Sequence, residues 1–255
     1  MSLPTNHTDD RTLLSIRGLV KSFRLHAVGG RVVRGLVGVD LDLFEGDHLA
    51  LAGRSGAGKS SLIKCVHRTY VADEGSITYR AASGERIDLL AMSDSDVADL
   101  RAREIGYVSQ FLRAAPRRPV LDVVAMEARR VGVDPDAADD LAAEVLRRVN
   151  IGSELFSTFP SLLSGGEKQR VNLAAGIVVA PRLLLLDEPV SALDPANRES
   201  VLDVIAELTS RGSTVLSIFH DLDAMRRLAD RVASMADGAI VGLGAPDEIL
   251  EPAPV

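Results

Sequence analysis

The sequence predicts an α/β fold, a mostly parallel sheet joined by crossover helices, and three observations carry that reading. Leu183, Leu184, Leu185 and Leu186 form an unbroken apolar run, and residues 215–219 read the same way, as parallel strands buried on both faces do. A short strand at 48–52 leads through a glycine-rich turn into a helix over 59–67. Asp134-Pro135 and Asp194-Pro195 each place an N-cap before a proline, which starts a helix.

The remaining elements follow in order. Residues 37–43 alternate apolar and polar, a strand with one covered face. The helix opened by Asp134 is expected to bury Leu141, Val145 and Val149 and to pair Glu144 with Arg148 across one turn. The helix opened by Asp194 carries Val201, Ile205 and Leu208. Residues from about 112 to 164 are dominated by helical patterns and read as an insertion within one domain spanning 1–255.

Composition narrows the function. Hydrophobic residues make up 46% and charged residues 25%, enough for a sizeable core. The net charge of -7 argues against a nucleic-acid partner, which requires clustered Lys and Arg. The pairs Arg129-Arg130 and Arg147-Arg148 read as solvated helix faces. Cys65 is the single cysteine, so no internal disulfide forms, which fits a reducing cytosol. Residues 1–10 are polar, and the longest apolar stretch, near 173–186, is broken by Pro181 and Arg182. The expected placement is cytoplasmic, with any membrane association supplied by a partner.

Gly53, Arg54, Ser55, Gly56, Ala57, Gly58, Lys59 and Ser60 match the phosphate-loop pattern G-x-x-x-x-G-K-[ST] at every fixed position, and Ser61 follows in the helix. Glycines let successive N–H groups turn inward onto phosphate oxygens, and the helix directs its positive end at the same anion. The pattern assigns Lys59 to the β- and γ-phosphates of ATP and Ser60 to Mg²⁺. Asp187 and Glu188 end the leucine strand at its C-terminal tip, where open α/β sheets bind ligands. Asp187 suits Mg²⁺, and Glu188 suits a general base that polarises water.

Leu163, Ser164, Gly165, Gly166 and Glu167 complete the pattern. Ser164 followed by Glu167 is a capping box, and small residues at a helix start also admit an anion. With these motifs in this order the chain resembles the ATP-binding cassette family over nearly its whole length. The resemblance implies a RecA-like core with an antiparallel β subdomain and an inserted helical subdomain. It also implies that Ser164, Gly165, Gly166 and Glu167 meet the ATP held by a second, identical or related cassette. Other positions match one by one. Gln110 resembles the glutamine that senses Mg²⁺ and couples to a partner. Asp194 resembles the loop that communicates across the dimer, His220 the histidine at the γ-phosphate, and Phe23 the aromatic that stacks on adenine. Ala175 and Val190 depart from the family pattern, which often has Arg at the first and Thr or Phe at the second.

Local strings at 67–75, 109–117 and 156–164, with Val171-Asn172 and residues 219–221, resemble the L-type ATP-binding subunit of the bacterial phosphonate carbon–phosphorus lyase system. That resemblance implies an ATPase supporting ribose 1-methylphosphonate 5-triphosphate synthesis among the lyase core subunits. The alternative is the nucleotide-binding subunit of a membrane transporter, coupled to a permease. Residues 110–124 separate the two: a permease requires a groove there, whereas Arg113, Arg117 and Arg118 suit an acidic protein surface.

Overall fold

The computed structural model describes residues 11–25, 30–110, 112 and 117–250; Arg113 lies outside them. The chain begins with β1 (Thr12–Leu25), β2 (Arg31–Phe44), β3 (His48–Ala52), α1 (Lys59–Val66), β4 (Glu74–Arg80) and β5 (Arg86–Asp88). There follow α2 (Asp94–Glu104), β6 (Ile105–Val108), α3 (Val120–Arg130), α4 (Pro135–Arg148) and α5 (Gly165–Ile177). The last part holds β7 (Leu183–Asp187), α6 (Pro195–Ser210), β8 (Thr214–Ile218), α7 (Leu222–Leu228), β9 (Arg231–Ala236), β10 (Ala239–Gly244) and α8 (Pro246–Leu250).

Two sheets result. An antiparallel sheet has the order β2-β1-β4-β5, and a larger one the order β10-β9-β3-β8-β7-β6. In the larger sheet β9, β3, β8, β7 and β6 run parallel, and β10 returns antiparallel at its edge. Leu184 and Leu186 face one apolar cluster with α3 to α7, while Leu183 and Leu185 face the other with α1 and the antiparallel sheet. All four leucines are fully buried, so the run is apolar because both faces are covered.

The helical segment lies between the adjacent strands β6 and β7 and continues through α5 to Ile177, beyond the expected limit near 164. Its start signal holds: the Asp134 carboxylate accepts from the Asp136 and Ala137 amides. Its buried stripe differs from expectation. α4 packs through Ala138, Ala142, Val145, Leu146 and the following Val149, whereas Leu141 is 38% exposed. Arg148 pairs with Glu207 of α6. The expected Glu144 pairing is replaced by this contact between elements. In β2 the covered face runs through Val39, Leu41 and Leu43, but a bulge at Gly38 shifts the register so that Leu36 is buried and Val37 exposed. α5 meets β6 at two glycines: a Cβ on Gly106 would lie 2.3 Å from the Gly176 carbonyl oxygen.

His48, fully buried on β3, shares a 2.8 Å hydrogen bond between Nε2 and Ser217 Oγ, and burial lowers its pKa to about 3. The unfolded chain binds this proton below about pH 6.5 while the folded chain does not. The stability that His48 protects is therefore complete above that pH and is lost as pH falls toward 3. Urea unfolding between pH 6.5 and 4.5 is expected to lose about 1.4 kcal/mol per pH unit more than a His48→Gln variant loses.

Candidate functional site

The register of the parallel strands sets up the site. Leu51 pairs with Ile218, Ile218 with Asp187, and Leu186 with Val108, so four strand ends stop in one row. Directly beyond that row lie the Gly53 loop, Glu188, His220 and Gln110. Strand pairing thus brings residues from four distant chain segments together.

The phosphate loop is shaped by close backbone approaches. Gly53 has φ 135°, and a Cβ there would lie 2.2 Å from the Met235 carbonyl oxygen. Gly58 caps α1 with φ 104°, and its Cβ would lie 2.4 Å from the Gly35 carbonyl oxygen. Between them Arg54, Ser55 and Gly56 are exposed, while Ala57 is buried and donates its amide to the Arg54 carbonyl. Lys59 Nζ crosses the loop to the Gly53 and Arg54 carbonyls at 2.6 and 3.0 Å. Burial lowers its pKa, opposed by Glu188 and Asp187. Ser60 and Ser61 follow in the first turn of α1, both half-buried.

Ser60 Oγ donates to Asp187 Oδ1 at 2.9 Å. Burial pushes the Asp187 carboxyl up, against the Ser60 hydrogen bond. Glu188 has a left-handed backbone, φ 58°, and its amide donates to the Ile218 carbonyl. Such a conformation in a non-glycine residue is sustained by its surroundings and concentrates at functional sites. The Glu188 carboxylate is shared: Oε1 lies 2.7 Å from His220 Nε2, and Oε2 accepts from Gln110 Nε2 at 3.2 Å.

The capping box at α5 forms as expected: Ser164 Oγ accepts from the Glu167 amide and Glu167 Oε2 accepts from the Ser164 amide. These bonds hold the Glu167 carboxyl below its ordinary range. Gly165 faces open space, so the helix start points outward rather than into the Glu188 cluster. Asp194 caps α6 by accepting from Asn197 N and Nδ2, which occupies its carboxylate within its own helix. Phe23 packs over Gly35, the residue that touches Gly58, and meets Tyr70 edge-on at 5.2 Å. It therefore lies one residue away from the phosphate loop.

Three polar positions were missed in the sequence. Gln169, 4% exposed, reaches the turn after β7, and Asn172 Nδ2 donates to the Ser109 carbonyl at 2.5 Å, beside Gln110. Arg198 of α6 pairs with Asp221, the cap of α7 next to His220. The available signal was the three-residue spacing of Gln169 and Asn172, which puts both on one face of α5; Arg198 carried no comparable signal.

A groove of about 710 Å³ opens between α2, β6 and the helical segment, lined in part by Arg103, Tyr107, Ser109, Arg118, Met126 and Ala175. Val190 is buried against the helical cluster, filling its position with apolar volume.

A protein-family model described as ABC transporter matches residues 36–191. The chain is 39% identical over 220 residues to the trimethylamine N-oxide transport system ATP-binding protein of Ruegeria pomeroyi, covering 86% of this chain and 63% of that one. It is 33% identical over 235 residues to the glycine betaine/proline betaine transport system ATP-binding protein of Escherichia coli, covering 92% and 57%. The chain thus spans about three fifths of the length of these two relatives. It is 36% identical over 225 residues to the arginine transport ATP-binding protein of Corynebacterium glutamicum, covering 85% and 86%. The fold matches a dimeric ATP-binding cassette bound to ADP and phosphate with TM-score 0.84, at 23% identity over 92% of this chain and 99% of that one.

These relatives are named for transport, which favours the transporter alternative over the phosphonate-lyase expectation. The strings that suggested the lyase have local structural uses. His67 caps α1 and stacks on Tyr107 at 4.4 Å, and Asp73 accepts from the Ser22 amide. The Phe156 and Thr158 carbonyls accept the first amides of α3. Gly53→Ala is expected to cost about 2 kcal/mol or more, since both φ and the Met235 carbonyl oppose a side chain, and urea unfolding measures it.

Proposed function

The chain belongs to the ABC transporter family and is an ABC-type ATPase, and we propose that it is the nucleotide-binding subunit of a solute transporter. In this reading it hydrolyses Mg-ATP between two cassettes and drives a membrane permease seated in the groove beside α5. The observation that carries the reading is the continuity between groove and site. Ser109 lines the groove, and its neighbour Gln110 donates to the Glu188 carboxylate. Movement of a groove occupant therefore reaches Glu188 through one residue.

Within that reading the loop amides and Lys59 hold the phosphates, and Phe23 stacks on adenine. The Ser60 hydroxyl and Asp187 carboxylate, 2.9 Å apart, are hard oxygen donors that fit Mg²⁺, with Gln110 close by. The ion supplies neutralisation of phosphate charge. Glu188 orients and deprotonates the attacking water, and His220, hydrogen-bonded to Glu188, contacts the γ-phosphate. The outward-facing start of α5, Ser164 to Glu167, meets the nucleotide of the second cassette, identical or related, with Asp194 facing that interface.

No helix among the described residues is long and apolar enough to cross a membrane. In the proposed assembly the permease supplies the membrane part, and this chain works at its cytoplasmic face. The relatives are named for trimethylamine N-oxide, betaines and arginine. A small nitrogen-bearing organic solute is the proposed cargo.

Tagged Glu188→Gln protein, purified from native membranes with Mg-ATP, is expected to bring down an integral permease. It should bind ATP normally while turning over about 100-fold more slowly, or slower still. Recovery with soluble enzymes and no membrane protein would overturn the transporter reading, and undiminished turnover would overturn the base. Ser164→Arg is expected to leave ATP binding by the monomer intact and to abolish the closed dimer on gel filtration.

A further inference from the structure

The body of α5, not only its first turn, touches the catalytic loops. Gly166, Gln169, Asn172 and Gly176 recur at spacings of three, three and four, so they share one helix face. A Cβ on Gly166 would lie 3.3 Å from the Ala192 carbonyl oxygen, and one on Gly176 would lie 2.8 Å from Val108 Cγ2. Asn172 holds the Ser109 carbonyl before Gln110.

Gln169 makes the most specific contact. Its Nε2 donates to the Glu188 carbonyl at 2.5 Å and lies 3.3 Å from Ser191 Oγ. Its Oε1 accepts from the Ala192 amide at 2.9 Å. Ser191 Oγ also donates to the Glu188 carbonyl at 3.2 Å. One buried amide thus clasps both ends of the turn 188–192, which begins with the left-handed Glu188. That backbone conformation persists only while neighbouring groups hold it.

We propose that Gln169 is a positioning residue for hydrolysis. It keeps the Glu188 turn in register with α5, so the base is aimed only while α5 is seated. The helix whose start meets the nucleotide of the opposite cassette thereby governs the base of its own cassette. This rests on the roles given above to Glu188 and to Ser164–Gly166, and deepens them. Gln169 itself touches neither nucleotide nor metal in that arrangement.

The test compares the full chain with Gln169→Leu, which removes both polar contacts, and Gln169→Asn, which keeps the amide and loses its reach. Turnover, affinity for a fluorescent ATP analogue and thermal midpoint are measured for each, with Glu188→Gln alongside. Turnover is expected to fall at least about tenfold in both variants, with nucleotide affinity within about twofold of the original. Turnover within twofold of the original would overturn the proposal. So would parallel losses of turnover, affinity and midpoint, or failure of both variants to fold, because each marks simple support of the fold. A dead Glu188→Gln beside active Gln169 variants removes the proposal alone. An active Glu188→Gln removes the base assignment and the proposal with it.

Discussion

The constraint on which everything else depends is the register of the parallel strands β3, β8, β7 and β6. Parallel pairing demands crossover connections, so neighbouring strands come from distant parts of the chain. Because the paired ends stop in one row, the loops that leave them are forced into a single crevice. The phosphate loop, Glu188, His220 and Gln110 need no direct attraction to find one another. A one-residue slip of β7 would exchange the two leucine faces between clusters, so burial of those side chains fixes the register that aligns the chemistry.

The chemical motifs were legible because each is short and local. The phosphate loop needs its glycines within six residues, and the Asp-Pro helix starts and the Ser164–Glu167 box are decided by one turn of backbone. What escaped was set by partners far away in sequence. Leu141 lost its place in the core to Ala138 and Ala142 because close helix packing on α3 and α5 favours small side chains there. Gln169 drew no reading in the sequence because the carbonyl and the amide it meets belong to the turn after β7. The strings that suggested phosphonate chemistry were informative about structure: they cap α1, start α3 and hold Ser109.

The arginines of the helical segment show the same division. As sequence they read as solvated faces, and the structure gives several of them work between elements. Arg129 reaches Asp139 and Asp122, Arg148 reaches Glu207, and Arg147 lies over the Phe156 ring at 5.6 Å. Partly exposed pairs of this kind contribute little stability individually. Their effect is to orient α3, α4 and α6 relative to one another, while Arg118 lines the groove.

The contact of Gly106 with Gly176 makes α5 a lever. Helix and strand approach closely there because neither glycine carries a side chain, which makes this the pivot about which the two could rock. From this fulcrum to Gly166 is ten residues, about 15 Å of helix. A rotation of about 10° therefore sweeps the first turn by about 2.6 Å, nearly the length of a hydrogen bond. A small displacement in the groove beside the fulcrum would thus be magnified at the far end, at the Ser164–Gly166 turn proposed to meet the opposite nucleotide.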